Sequence, residues 1–131
     1  MVRERALALN SYEDLIVWQK AMDLTVEIYR LVKFLPREET YALSDQMRRA
    51  VVSIPSNIAE GHGRNSTREF INFLYIARGS LTEIKTQLQI CCRLKYFSES
   101  ESEYAFNLCN EIYKVLNVLI SKLKQRIDPN H

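Results

Sequence analysis

Apolar residues recur at spacings of three and four along nearly the whole 131-residue chain, with polar residues between them. This is the period of an amphipathic α-helix, and the alternation typical of strands is absent. Four such stretches predict an all-α protein, an antiparallel up-down-up-down four-helix bundle. The predicted helices cover residues 11–35, about 40–60, 66–97 and 100–127.

Short polar motifs mark where three of these helices should begin. Ser66–Glu69 and Ser100–Glu103 each read as a capping box, and Ser11 with Asp14 is a weaker version. Pro36 should end the first helix, because proline cannot continue it. Residues 1–10 are then expected to be a flexible leader and residues 128–131 a tail, with the bundle spanning residues 11–127.

The first helix carries two apolar stripes, which is more than one pair of neighbouring helices needs. A second stripe of this kind favours self-association. One stripe contains Leu15, Trp18, Met22, Thr25, Tyr29 and Val32, and the other contains Val17, Ala21, Leu24, Ile28, Leu31 and Leu35.

Three helix-breaking residues make local predictions within this scheme. Pro55 lies inside the second helix and predicts a kink or short break near Ser53–Ile54. Gly61 is expected to be a left-handed C-cap. Gly79, in the middle of the third helix, suggests that another helix approaches closely there.

Charge is distributed unevenly, although the net charge of +2 neither requires nor excludes a polyanionic partner. Residues 46–78 carry five arginines against two glutamates. Residues 99–111 carry four glutamates and no base, and residues 112–127 carry four bases and no acid. The surface should therefore be patchy.

The arginines of residues 46–78 are the candidate nucleic-acid contacts, because the planar guanidinium suits bidentate phosphate binding. The alternative is a solvated face whose arginines pair with Glu60 and Glu69. The candidates are Arg48, Arg49, Arg64, Arg68 and Arg78.

A polar stripe follows the second helix at spacings of three and four, and a shorter one follows the third. Such stripes form either a hydrogen-bonded network between helices or subunits, or a ligand-binding groove. The second helix contributes Arg49, Ser53, Asn57, Glu60 and Arg64, and the third contributes Ser80, Glu83 and Gln87.

Catalytic and metal-binding patterns are scarce. The chain has two histidines and no Glu-x-x-His motif, which di-iron bundles use, and no phosphate-binding glycine loop. A Cys–His pair that uses His62 is the remaining nucleophilic alternative. The three cysteines, Cys91, Cys92 and Cys109, suit buried thiols in a reducing cytosol. We therefore expect a cytoplasmic protein with no membrane segment, metal, cofactor or enzymatic activity.

Four strings of this chain together resemble a known family. They are Tyr12–Leu15, Leu43–Ala50, Ser53–Gly61 and Ile76–Glu83, and they include Ser-Ile-x-x-Asn-Ile-Ala-Glu-Gly and Ala-x-Gly-Ser-Leu-x-Glu. The resemblance, over residues 11–125, is to four-helix-bundle proteins encoded in intervening sequences of bacterial 23S ribosomal RNA genes. It implies a bundle that assembles into a ring, typically a pentamer. The family is also similar to the accessory protein of diversity-generating retroelements, a basic pentameric barrel that binds nucleic acid and a reverse transcriptase.

Fold, charge and resemblance together predict a non-enzymatic homo-oligomer, a pentamer by the resemblance, that binds RNA or DNA through the arginine-bearing surface. Repetition of a weak patch around a ring would increase its avidity. The alternative is an oligomeric scaffold that binds a partner protein and has no nucleic-acid role.

Overall fold

The computed structural model describes residues 11–127, and within that range every regular element is helical. Short 3-10 turns at Tyr12–Asp14, Val32–Phe34 and Arg37–Glu39 flank or follow the first helix. The predicted leader at residues 1–10 and tail at residues 128–131 lie outside the described residues. The four α-helices are α1 (Ile16–Leu31), α2 (Leu43–His62), α3 (Thr67–Arg93) and α4 (Glu103–Ile127).

The helices form a closed square in which each packs against its neighbours in the chain and α4 packs against α1. At each of three interfaces the partner's residue number falls as the residue number rises along a helix, so α2–α3, α3–α4 and α1–α4 are antiparallel. It follows that α1 runs opposite to α2, which is the predicted up-down-up-down bundle. The pairs are Ser53 with Ser80, Gly61 with Phe73, Arg78 with Asn117, Lys85 with Asn110, Lys20 with Glu111 and Arg30 with Glu101.

One hydrophobic core runs along the centre of the square, because each helix turns its apolar stripe inward. Burial of such side chains supplies the main driving force for folding. No helix within residues 11–127 is both long and apolar enough to cross a membrane. Fully buried representatives are Leu24 and Ile28 of α1, Met47 and Ile54 of α2, Leu74 and Ile84 of α3, and Ile112 and Leu116 of α4.

The capping predictions were right for α3 and wrong for α1 and α4. The Ser66 hydroxyl accepts from the Glu69 amide at 3.1 Å, as expected. Ser11 instead caps the 3-10 turn, and α1 begins five residues later at Ile16. The capping box lies at Ser98–Glu101, in the turn that leads into α4 at Glu103, where the Ser98 hydroxyl accepts from the Glu101 amide and the Glu101 carboxylate accepts from the Ser98 amide.

Pro55 does not break α2, which is helical without interruption from Leu43 to His62. Proline removes one backbone donor, here the one that would bond to the Val51 carbonyl. The Thr25 hydroxyl of α1 lies 3.4 Å from that carbonyl oxygen and 2.8 Å from the Ala21 carbonyl oxygen. A polar group from the neighbouring helix thus helps α2 tolerate the proline, and the predicted break was wrong.

Both glycine predictions were also wrong. The close helix contact that was predicted at Gly79 occurs at Gly61, which was predicted to be a C-cap. Gly61 is a buried residue inside α2, and the C-cap is Gly63 with a right-handed φ of −81°. A Cβ at Gly61 would lie 2.6 Å from Phe73 Cβ, whereas a Cβ at Gly79 would meet nothing within 4 Å. The close approach of two helices is therefore at Gly61, between α2 and α3.

A left-handed residue does end α3, and it is a lysine. The helix ends at Arg93, slightly before the predicted end at Tyr96–Phe97, and Lys95 has a φ of 65°. The Lys95 amide donates to the Cys92 carbonyl and the Tyr96 amide to the Cys91 carbonyl, both at 3.0 Å. This is the paired bonding of a Schellman motif, which turns the chain back toward α4.

Candidate nucleic-acid interface

Two of the three candidate arginines on α2 and just after it are paired with carboxylates one helical turn earlier. Arg49 Nε lies 3.2 Å from Asp45 Oδ2, and Arg64 Nη2 lies 2.8 Å from Glu60 Oε2. Both pairs span one helical turn and are exposed to solvent. Arg48 is half-buried, and the helical period places it on a different side of α2 from Ser53, which contacts α3. The structure therefore does not bring Arg48, Arg49 and Arg64 together with the two candidates of α3.

The two arginines of α3 lie on a different surface, along the groove between α3 and α4. Arg78 Nη1 donates to Asn117 Oδ1 of α4 at 2.8 Å, and one heptad further on Lys85 Nζ donates to Asn110 Oδ1 at 3.1 Å. Arg68 lies at the other end of the groove, beside the C-terminal half of α4. We call this surface the basic groove.

Lys124 of α4 also belongs to the basic groove, because it and Arg78 contact the same aromatic ring. Arg78 Cζ lies 4.9 Å and Lys124 Nζ 5.4 Å from the centroid of Tyr75. The electron-rich face of an aromatic ring attracts cations, so Tyr75 holds two positive charges at close range. The basic groove is thus defined by four cations, Arg68, Arg78, Lys85 and Lys124.

None of these four cations forms an ion pair with any carboxylate of residues 11–127. The pairs found there are Lys20–Glu111, Arg30–Glu27, Arg49–Asp45 and Arg64–Glu60. Arg78 and Lys85 donate to the neutral amides of Asn117 and Asn110, so no carboxylate of residues 11–127 compensates the charge of these cations. An array of uncompensated charges along one groove attracts a polyanion.

The groove opens at its Arg68 end into a pocket of about 620 Å³. Its lining combines two isoleucines, three uncharged polar residues and two cations. They are Ile71 and Ile127, then Asn72, Ser121 and Gln125, and finally Arg68 and Lys124.

Sequence reasoning missed Lys85, Lys124 and Tyr75. Tyr75, Arg78 and Lys85 follow Arg68 at seven, ten and seventeen residues, and the helical period keeps all four on one side of α3. That signal could have been found by grouping charges by helix face rather than by segment. The role of Lys124 could not have been found in this way, because its position beside α3 depends on how α4 packs.

The polar stripe on α2 and α3 is in part an interhelical hydrogen-bond network. Ser53 Oγ and Ser80 Oγ are 2.9 Å apart across the α2–α3 interface. Asn57 Nδ2 donates to the Ser53 carbonyl at 2.7 Å and to Ser53 Oγ at 2.9 Å. These three half-buried side chains satisfy one another, as buried polar groups must.

The rest of the stripe does not join that network. Glu60 pairs with Arg64 on the exposed side of α2. Glu83 Oε2 accepts from Gln87 Nε2 at 3.4 Å within α3. Gln87 is otherwise buried, and its Oε1 has no hydrogen-bond partner among the described residues. The sequence-predicted stripe is therefore split into separate local contacts and does not form one groove.

Nucleophilic groups are poorly placed for chemistry. Burial raises the pKa of the Cys91 and Cys109 thiols to about 12 each, which disfavours the reactive thiolate. Cys91 Sγ lies 3.7 Å from Met47 Sδ, and His62 is fifteen residues further along α2, about 22 Å by the helical rise. His62 instead packs edge-on against Phe70. Within residues 11–127, no cluster of three or more His, Cys, Asp or Glu side chains could hold a metal ion.

Comparison with known proteins tests the family resemblance that the four sequence strings indicated. The family model described as 23S rRNA-intervening sequence protein matches residues 13–118. The chain belongs to the 23S rRNA-intervening sequence protein family. A solved relative of this family protein is a protein with unknown function from the S23 ribosomal protein family of Bacteroides thetaiotaomicron, determined at 1.70 Å resolution. It is 33% identical, with a TM-score of 0.74, and the match covers 80% of this chain and 98% of that one.

No curated protein matches this 23S rRNA-intervening sequence family protein. The predicted resemblance to the family is thus confirmed, together with the all-α bundle. The relation to the accessory protein of diversity-generating retroelements stays a prediction.

Proposed function

We propose that this family protein is a non-enzymatic, homo-oligomeric helical bundle that binds RNA or another nucleic acid through the basic groove. The observation that carries the proposal is the set of four cations on one groove, none of them paired with a carboxylate of residues 11–127. Arginine and lysine side chains of this kind are the usual phosphate contacts.

The length of the basic groove suits a chain of phosphates. Arg68 and Lys85 are seventeen residues apart on one helix, which corresponds to about 25 Å along its axis. A nucleic-acid strand presents one phosphate for about every 3.4 Å of helix axis, so roughly seven phosphates face a groove of this length. Four cations can therefore each meet a phosphate of the same strand.

Binding to a fragment of structured ribosomal RNA tests this function. We expect affinity to fall by about three orders of magnitude between roughly 50 and 200 mM salt once oligomerisation multiplies the phosphate contacts, because each contact releases counterions. Fluorescence anisotropy across the salt series measures the slope. Undetectable binding at the lowest salt, to ribosomal RNA and to unrelated RNA and DNA alike, would rule out the proposed nucleic-acid role.

Homo-oligomerisation is supported by an apolar face that α1 leaves uncovered. Met22 is 40% exposed, Val26 71% and Tyr29 43%, and Val52 of the adjacent α2 is 40% exposed. Met22 and Tyr29 belong to the first of the two apolar stripes that the sequence predicted, the one that begins at Leu15. Contiguous exposed apolar side chains of this kind mark protein contacts. We call these four residues the α1 apolar face, and a second copy of the chain is its proposed occupant; five copies rest on the family resemblance alone.

Val26→Lys is expected to dissociate the oligomer toward monomers, because a charged side chain would be buried unpaired at the contact. Size-exclusion chromatography with light scattering measures the mass. Asn107→Lys, which adds the same charge at an exposed position of α4, is the control and should leave the mass unchanged. A wild-type protein that is monomeric at every concentration would contradict both the proposed homo-oligomer and the alternative oligomeric scaffold, and the α1 apolar face would then be a surface for a different protein.

A further inference from the structure

The pocket at the Arg68 end of the basic groove has a lining that phosphate contacts alone do not require. Ile71 and Ile127 provide apolar surface beneath the two cations Arg68 and Lys124. A purely electrostatic track would need only the cations, and its affinity would gain nothing from an apolar recess beside them. The volume of about 620 Å³ lies within the range of pockets that hold small organic ligands.

Apart from the two cations, the polar residues that line the pocket are uncharged. Asn72 of α3 and Gln125 of α4 carry side-chain amides, and Ser121 contributes a hydroxyl. Amides offer both donors and acceptors, which is what the edge of a nucleobase presents. An apolar recess with amides and flanking cations therefore matches a base together with its own phosphates.

Tyr75 is a poor alternative platform for a base. Arg78 and Lys124 already lie 4.9 Å and 5.4 Å from the centre of its ring. A base that stacked there would have to displace these cations from the ring. The pocket, with the Arg68 guanidinium beside it, provides the free surface, and guanidinium planes also stack on bases.

We propose that the basic groove takes single-stranded nucleic acid, with one unstacked base inserted in this pocket and its flanking phosphates on Arg68 and Lys124. This inference rests on the proposed function and specifies its substrate class. A duplex could supply such a base only by unstacking and unpairing it, at an energetic cost. The cations bind the phosphates of the strand. The pocket favours single strands over duplexes, because their bases unstack more easily.

Binding of a mixed-sequence RNA of about 12 nucleotides, compared with its blunt duplex at about 50 mM salt, tests this inference. The wild-type protein should bind the single strand about tenfold more tightly than the duplex. Ser121→Trp fills the pocket without changing charge, so affinity for the single strand should fall by about tenfold while duplex affinity stays the same. Asn72→Ala, which adds no bulk, should reduce the preference in the same direction.

Asn107→Trp is the matched control, because Asn107 is also exposed on α4 and lies two heptads before Ser121. It should leave both affinities unchanged, and thermal unfolding should show that all variants remain folded. Equal binding of single strand and duplex by the wild-type protein, or a preference unaltered by both pocket variants, would overturn the inference and leave the groove's general role intact. Binding of neither probe at low salt would overturn the proposed function and the inference together.

Discussion

Replacing Arg68, Arg78 and Lys124 together with glutamine is expected to weaken RNA binding by about 100-fold at physiological salt, because three phosphate contacts are lost. The slope of log affinity against log salt should fall by about two for each subunit that contacts the RNA, since each contact with a single strand releases about 0.7 counterion. Glutamine keeps polar, hydrogen-bonding side chains at all three positions. The Arg68→Gln, Lys124→Gln double variant leaves Arg78 unchanged. It therefore keeps the hydrogen bond from Arg78 to Asn117, which joins α3 to α4.

The matched control is the triple glutamine variant of Arg48, Arg49 and Arg64, which removes the same charge from residues outside the basic groove. Arg49 and Arg64 are already paired with Asp45 and Glu60, so affinity should change by only a few-fold. Anisotropy titrations at three salt concentrations separate the two outcomes. Equal losses in both triple variants would mean that total charge controls binding and that the basic groove has no special role.

The contrast between Arg64 and Arg68 shows where sequence reasoning about the site failed. Only three residues separate them, and counting charge along residues 46–78 placed them in one patch. The turn between α2 and α3 lies between them, so Arg64 folds back on Glu60 while Arg68 faces α4. Charge per segment is readable from a sequence, whereas charge per surface depends on which helices pack together.

Helix content was predictable because apolar spacing is a local signal repeated over many residues. The start of α4 was not, because Ser98–Glu101 and Ser100–Glu103 are overlapping boxes of the same type. The contacts of Ser102 favour the Ser98–Glu101 box. It is fully buried beside Cys92, and its hydroxyl donates to the Ser98 carbonyl at 3.0 Å, which fixes the turn around Ser98.

Alanine is expected to have opposite effects at the two helical glycines. Gly61→Ala should reduce the free energy of unfolding by about 2 kcal/mol, because the new Cβ would lie 2.6 Å from Phe73 Cβ and 3.0 Å from Phe70 Cδ1. Phe73 Cβ is fixed to the backbone of α3, so relief requires the two helices to separate. Gly79→Ala should raise the free energy of unfolding by about 1 kcal/mol, because helix propensity improves and the methyl group meets nothing within 4 Å.

The two variants serve as controls for each other, since both make the same chemical change inside a helix. Urea unfolding at two protein concentrations, the same for both variants and followed by circular dichroism, measures both free energies. A stabilising effect at Gly61 would mean that α2 and α3 are less tightly packed than the structure has them. A destabilising effect at Gly79 that grows with protein concentration would have a different meaning, because nothing within residues 11–127 contacts that position. It would place a second copy of the chain against the exposed side of α3, and the oligomer contact would then extend beyond the α1 apolar face.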